Sequence, residues 1–366
     1  MSALFSPLTI RGVTTRNRIW LAPMCQYAVS ARDGVPTDWH LTHLGARAAG
    51  GFGLVMTEAA GVTAQGRISP QDVGLWNDRH TEAWARIVRF IHEQGATAGV
   101  QLAHAGRKAG SSSGSAWFDP AAGVADWETI GPSALPWNGF PPPRVMSRSD
   151  IQEVVAAFAD AARRADEAGF EVVEVHGAHG YLLHEFLSPL SNHREDEYGG
   201  SPTNRARFLV EVVTAVRAAL PRDKVLVVRL SATDWIDGGW TPEDCVELVA
   251  RLSDYGVDLV DASSGGLDDR QVIPVGPGYQ IGFAEQIRAG ADIRTGAVGF
   301  ITDPVEAEAV IAAGRADIVS IGRAALRDPS WPLRAAHELG VSRSEAPYPI
   351  PYLKGAWRPE GAALER

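Results

Sequence analysis

Cysteine is scarce: Cys25 and Cys245 are the two in 366 residues. They are too few for a disulfide framework, and their separation matches no zinc or iron–sulfur spacing. That scarcity suits a reducing compartment, so the cytoplasm is the expected location. No apolar run is long enough to span a bilayer. The opening MSALFSPLTIRG lacks a charged start ahead of an apolar core, so no export signal is expected. Basic residues are in the minority, with 34 Lys and Arg against 44 Asp and Glu, a formal net charge of −10. That balance argues against nucleic acid or an anionic membrane surface as partner, while leaving room for one local basic pocket. There is no interdomain linker and no low-complexity tract.

Hydrophobic residues make up 45%, enough for a large core. Eight short apolar segments alternate with longer helical patterns. They are Arg18–Pro23, Gly53–Ala59, Thr97–Leu102, Glu171–His176, Val225–Leu230, Asp258–Ala262, Asp292–Val298 and Asp317–Ile321. Their Val, Ile and Leu content fits strands buried on both faces. The fold class is therefore α/β: one (β/α)8 TIM barrel spanning 1–366. Ser149-Asp150 is expected to cap a helix that runs to Gly169. Thr241-Pro242 and Asp303-Pro304 each place a capping side chain before a proline at the first helical position, and Gly314 stops the second of those helices. Two stretches stand outside the alternation. Phe5 to Arg18 reads as an N-terminal hairpin. Gly110 to Ser147, rich in Gly, Ser, Pro and Trp, is a long loop insertion after strand 3, read as an active-site lid with a packed surface loop as the alternative.

In such a barrel, chemistry hangs from the C-terminal ends of the strands. The fourth ends in His176-Gly177-Ala178-His179-Gly180-Tyr181. Two neutral imidazoles donating to one oxygen would stabilise charge developing there, and a tyrosine hydroxyl would deliver a proton. Two other readings stand beside this: a zinc site with His184, and a pair of satisfied core histidines. Arg229 sits in the buried run VLVVRL and needs a partner, for which a strand carboxylate such as Glu174 is one choice. Gly299 and Gly322-Arg323 follow the last two strands, where barrels hold phosphate. The glycine-rich stretch from Gly276 to Gly282 follows no strand and has the wrong spacing for a dinucleotide loop. A non-redox aldolase or isomerase would need a Schiff-base lysine or a carboxylate base, with Lys108 and Asp261 the nearest candidates. A lone cysteine such as Cys25 is more often core packing.

Five runs carry a resemblance along nearly the whole chain: LAPMCQY (21–27), TEAAGVTAQGRIS (57–69), QLAHAGRKA (101–109), HGAHGYLLHEFLSPLSNHREDEYGGS (176–201) and SIGRAALRDPSWP (320–332). Together they resemble the old yellow enzyme family of NADH:flavin oxidoreductases, in particular its YqjM-like or xenobiotic-reductase-like subgroup. The resemblance implies non-covalent FMN and NADPH or NADH as reductant. It implies an NAD(P)H:alkene oxidoreductase acting on α,β-unsaturated carbonyl compounds, with nitro or nitrate-ester reduction as the alternative. His176 and His179 match the pair that binds the substrate's activating oxygen, and Tyr181 the proton donor. Ala22, Pro23, Met24 and Cys25 match the segment against the isoalloxazine, joined by Ala59 and Gln101. Arg229 would face flavin N1, and Gly299, Gly322 and Arg323 the phosphate. Tyr27 and Lys108 match substrate-pocket positions, while Trp39, Trp117 and Trp137 are candidates for the cleft. The subgroup forms homodimers or homotetramers in which the C-terminal tail, here 345–366, reaches a neighbouring subunit. PYLKGAWRP departs from the pattern, because Lys354 stands near the position of an arginine and Ala356 is extra. Trp357 is left as the candidate for a wall of the partner's pocket.

Overall fold

The computed structural model describes residues 2–110 and 127–357. Strands β1 (Leu8–Ile10) and β2 (Val13–Thr15) pair antiparallel as the expected hairpin. The barrel begins with β3 (Ile19–Leu21), β4 (Leu54–Gly61) and β5 (Thr97–Ala103). Inside the insertion, β6 (Ile130–Gly131) and β7 (Arg144–Val145) form a small separate pair. The barrel resumes with β8 (Val172–Gly177), β9 (Val225–Ser231), β10 (Leu259–Ser263), β11 (Arg294–Ala297) and β12 (Ile318–Ile321). All eight pairings are parallel, and β12 closes onto β3. Each apolar segment read from the sequence overlaps one of these strands; β4, β5, β8, β9 and β10 run one or two residues further than read.

Helices α1 (Asp38–Ala49), α2 (Asp78–Glu93), α3 (Arg148–Glu167), α4 (Leu182–Leu187) and α5 (Pro202–Ala219) serve the first half. α6 (Pro242–Leu252), α7 (Ile281–Ala291), α8 (Pro304–Ala312), α9 (Arg323–Arg327) and α10 (Trp331–Glu338) serve the second. Thr241 accepts from the Asp244 amide and Asp303 from the amides of Val305 and Glu306, as their sequences predict. α3 starts earlier than expected. Ser147, in extended conformation, accepts from the Asp150 amide while Asp150 reaches back to the Ser147 amide, which leaves Ser149 inside the first turn.

Two apolar layers hold the barrel. The larger packs helices against the strands and includes fully buried Trp84, Phe158, Phe208 and Trp331. The smaller lies at the N-terminal ends of the strands, where Leu8 and Ile10 of the hairpin meet Trp20, Leu54, Val172, Val225, Leu259 and Ile318. The hairpin is thus the barrel's bottom plug. The segment before it is fastened to α8: Ser2 Oγ and the amides of Ala3 and Leu4 donate to the Glu308 carboxylate. With that end closed, the opposite mouth is left for loops. Sheet register then arranges polar residues near the mouth: Gln101 stands beside Glu174, and Arg229 stands between His176 and Asp261.

Candidate active site

His176 is the penultimate residue of β8, and just beyond the strand the chain turns sharply through two left-handed residues, His179 (φ +59°) and Gly180 (φ +70°). The turn folds Tyr181 back, so that the His176 ring lies 5.1 Å from that of His179 and 5.0 Å from that of Tyr181, both edge-to-face. The Ala178 amide approaches His176 Nδ1 at 3.4 Å, which assigns the ring proton to Nε2. His179 Nε2 lies 2.7 Å from Ser263 Oγ; with the hydroxyl donating, the proton is on Nδ1. Burial, then the charge of Arg229, holds both imidazoles well below their ordinary range. Burial, with Cys25 and Asp72, pushes the Tyr181 hydroxyl well above its own. All three groups are neutral near pH 7, and each carries a proton to donate.

Beside Tyr181 lies an apolar patch of Ala59, Ile68, Ala103, Ala105 and Ala109, against which Cys25 and Tyr27 also pack. Tyr27 is left-handed too (φ +53°), a conformation that costs a non-glycine residue about 1–3 kcal/mol. Glu58 accepts from the Gln26 amide at 2.8 Å and lies 3.3 Å from His40 Nε2, which fixes the peptide between Cys25 and Tyr27. Burial, reinforced by Asp72 and Glu58, raises the Cys25 thiol well above its ordinary value, so it is a thiol rather than a thiolate. Lys108 Nζ donates to the carbonyls of His179 and Gly266 and sits 4.5 Å over the Trp137 ring. Burial draws its ammonium down to about 7. Trp137 belongs to the insertion, so the described part of that segment does reach the mouth; residues 111–126, with Trp117, lie outside the described residues. Trp39 is 53% exposed and donates to Gln26.

A second group of residues surrounds a cavity of about 220 Å³ that begins at His179 and Arg229 and ends at Gly299, Gly322 and Arg323. These are the residues expected to hold phosphate, joined by Arg229. The sequence reading missed Ser263, Ser264, Gln280 and Phe300, which also line it. Gln280 and Tyr279 come from the glycine-rich stretch discounted as a dinucleotide loop; that stretch contributes side chains instead of a phosphate-binding backbone. Gly322 is open, since a Cβ there would meet nothing nearer than Met24 Sδ at 3.7 Å. Ala22 continues β3 by donating to Ile321. Gln101 donates to Glu174 Oε1 at 2.7 Å. Arg229 takes Asp261, 3.5 Å from its Nε, where Glu174 was the carboxylate considered: Asp261 is its neighbour in register, and Glu174 is already held by Gln101. Arg229 Nε makes no hydrogen bond. Lys354 and Trp357 are not at this site in their own chain: Trp357 stacks on His337 of α10, and Lys354 is exposed. Among the described residues, no three His, Cys, Asp or Glu side chains converge to hold a metal ion, and no helix is long and apolar enough to cross a membrane.

Comparison with known proteins agrees with this geometry. Residues 3–341 match the model of the NADH:flavin oxidoreductase / NADH oxidase family. The chain is 50% identical to an NADPH dehydrogenase of Geobacillus thermodenitrificans over 98% of its own length and 99% of the relative's. It is 46% identical to an NADPH dehydrogenase of Bacillus subtilis, over 96% and 98%. Among solved structures, morphinone reductase superposes with a TM-score of 0.77 at 28% identity, over 93% of this chain and 90% of that one. An old yellow enzyme homologue from Zymomonas mobilis gives 0.76 at 28%, over 95% and 99%. A family match of this extent leaves no place for the aldolase or isomerase reading of the barrel. The chain belongs to the NADH:flavin oxidoreductase / NADH oxidase family, the old yellow enzymes, which are FMN-dependent oxidoreductases that take electrons from NAD(P)H.

Proposed function

We propose that this protein is an ene-reductase that uses NADPH to saturate the C=C bond of α,β-unsaturated carbonyl compounds. The observation that carries the reading is the packing of His176, His179 and Tyr181 against one another on a single turn, with His179 lining the cavity that Arg229 and Arg323 also line.

The cavity fits an anionic, phosphate-bearing group. It has two guanidinium groups on its walls, one with an Nε that makes no hydrogen bond, and an open glycine beside Arg323. Gly299, Gly322 and Arg323 would hold the FMN phosphate, and Arg229 would set a cation at the ring's N1 side. Ala22, Pro23, Met24, Cys25, Ala59 and Gln101 would border the ring. When bound and reduced, FMN supplies the hydride that the β-carbon of an activated alkene accepts.

The chain's own residues do the rest. His176 from Nε2 and His179 from Nδ1 donate to the substrate's carbonyl oxygen, where charge accumulates as the alkene is reduced. Imidazolium is not needed, since a preorganised neutral donor pair in a buried site costs no reorganisation. Tyr181 holds its proton until a carbanion-like α-carbon develops beside it, and then gives that proton up. Tyr27 and Lys108 border the substrate, and Trp137 of the insertion limits water at the mouth.

The test is turnover with NADPH against a panel of enones, maleimides and nitro compounds under anaerobic conditions. Saturated ketone or succinimide is the expected product. Protein that NADPH reduces but no enone or maleimide reoxidises would refute the assignment, and nitro turnover alone would replace it with nitro reduction.

A further inference from the structure

One buried imidazole has no part in the chemistry above. His184 lies on α4, directly below the turn that carries His179 and Tyr181, and it is fully buried. Its Nδ1 accepts from the Gly180 amide at 2.9 Å. An accepting Nδ1 puts the ring proton on Nε2, and that atom stands 3.0 Å from Asp234 Oδ1. Asp234 is fully buried as well. Its other oxygen accepts from Ser188 Oγ at 2.6 Å and from the Trp240 amide at 2.8 Å. Burial alone would raise the Asp234 carboxyl, but the neighbouring His184 and the two further donors outweigh it and hold the group below its usual value.

The turn above needs such an anchor. Two successive left-handed residues are an unfavourable path for the chain, and His179 has a Cβ to accommodate. Gly180 has no room to relax, since a Cβ there would come within 2.3 Å of the Gly266 carbonyl. The His179 amide is taken by Ser231 Oγ and the Tyr181 amide by the Ala178 carbonyl. The Gly180 amide, midway between the two reactive side chains, is taken by His184. Left without an acceptor, a buried amide costs about 1–3 kcal/mol, enough to rotate the peptide.

We infer that His184 and Asp234 are a positioning pair: Asp234 fixes the His184 tautomer, His184 fixes the Gly180 peptide, and that peptide fixes the aim of Tyr181 at the reacting carbon. The inference rests on the proposed role of Tyr181.

Two substitutions separate aim from stability. In His184→Asn, Oδ1 takes the place of Nδ1 and accepts from Gly180, while Asp234 Oδ1 loses its partner. In His184→Gln, the longer side chain keeps the contact with Asp234, and Gly180 loses its acceptor. Both amides are smaller than the imidazole, and Asn is smaller than Gln by one methylene. Reoxidation of the reduced holoenzyme is then measured with an enone, which needs a proton on carbon, and with a quinone, which does not. The expected result is that His184→Gln slows the enone reaction at least about tenfold, as a displacement of an ångström or less does elsewhere. His184→Asn should stay within about threefold of the native rate, and the quinone reaction should hold in both. Thermal stability should rank the other way, with His184→Gln above His184→Asn, because the latter leaves one oxygen of a buried carboxylate unpaired and removes more of the side chain. Amide exchange in a 177–183 peptide, followed by mass spectrometry, should quicken more in His184→Gln. Enone rates that follow the stability order, or equal losses with both acceptors, would overturn the inference. Tyr181→Phe is the control. If it leaves enone reduction intact, the proton-donor reading fails by itself, and the exchange order then decides: faster exchange in His184→Gln upholds the anchoring of the turn, and no difference sinks it.

Discussion

Replacing Tyr181 by Phe removes a single oxygen atom. The ring keeps its edge contact with His176 at 5.0 Å, its place 5.4 Å from Lys108 Nζ and its packing beside Ala59 and Ala103. Thermal stability should therefore shift by no more than a surface-type substitution does, within about 0.5 kcal/mol. The chemical cost is larger. A positioned general acid contributes about 10²–10⁴-fold, or about 3–5 kcal/mol of barrier at 1.36 kcal/mol per decade. That loss belongs to one half of the cycle. NADPH needs no proton from Tyr181 to reduce the flavin, whereas the alkene does. In anaerobic stopped-flow, bleaching of the flavin's visible band by NADPH should stay near the native rate, while its return on mixing with an enone should slow by at least two decades. The native enone step should also be level in pH through the neutral range as far as Tyr181 is concerned, because burial, Cys25 and Asp72 push the hydroxyl well above its ordinary value. Equal slowing of both half-reactions, or none in the second, would refute the reasoning.

Two further outcomes are expected. Arg229→Met removes the cation that faces both the cavity and Asp261, so it should loosen FMN and lower its reduction potential in a spectroelectrochemical titration; an unchanged potential would reduce Arg229 to an ion-pair partner. Removing one member of such a buried pair should also cost up to about 3–5 kcal/mol in stability. Glu185 is fully buried, and burial lifts its carboxyl to about 8 against the pull of Arg107 and Lys108. From its ordinary value near 4.5 up to about 8, the folded state holds a proton that the unfolded chain has lost, so this group's contribution to stability falls as pH rises through that window. Glu185→Gln keeps an acceptor for the Arg107 amide without that proton, and its melting temperature should gain on the native protein's from pH 5 to 8. A constant gap between the two would show that Glu185 is ionised throughout.

The barrel was legible because its strands are almost wholly buried, so short segments rich in Val, Ile and Leu alternate with helical patterns, and because Thr241, Asp303 and their prolines punctuate the helices. The cap of α3 was misplaced by two residues, since Ser147 and Ser149 both precede Asp150 acceptably and only backbone conformation decides between them. His176, His179 and Tyr181 were readable as a set because they share one turn. Ser263, Ser264, Gln280 and Phe300 were not, since they come from the end of β10, the two ends of the β10–α7 connection and the β11–α8 loop, and acquire a common role only when the barrel closes. His184 and Asp234 lie fifty residues apart. In the sequence His184 stands out only as a third histidine for a zinc site, and its acceptor bond to Gly180 depends on a left-handed turn that sequence spacing does not encode.

The junction of β12 with β3 bears on synthesis as well as on architecture. The first barrel strand gains its second neighbour only from residues 318–321, and the chain's beginning is tied down by Glu308. A growing chain on the ribosome therefore carries an open sheet edge at β3, and an incomplete cover over Leu8, Ile10 and Trp20, until β12 has been made. The N-terminal segment is the stretch in which premature association is most costly, and ring closure is a late, all-or-none event for which the most distant parts of the chain wait on one another.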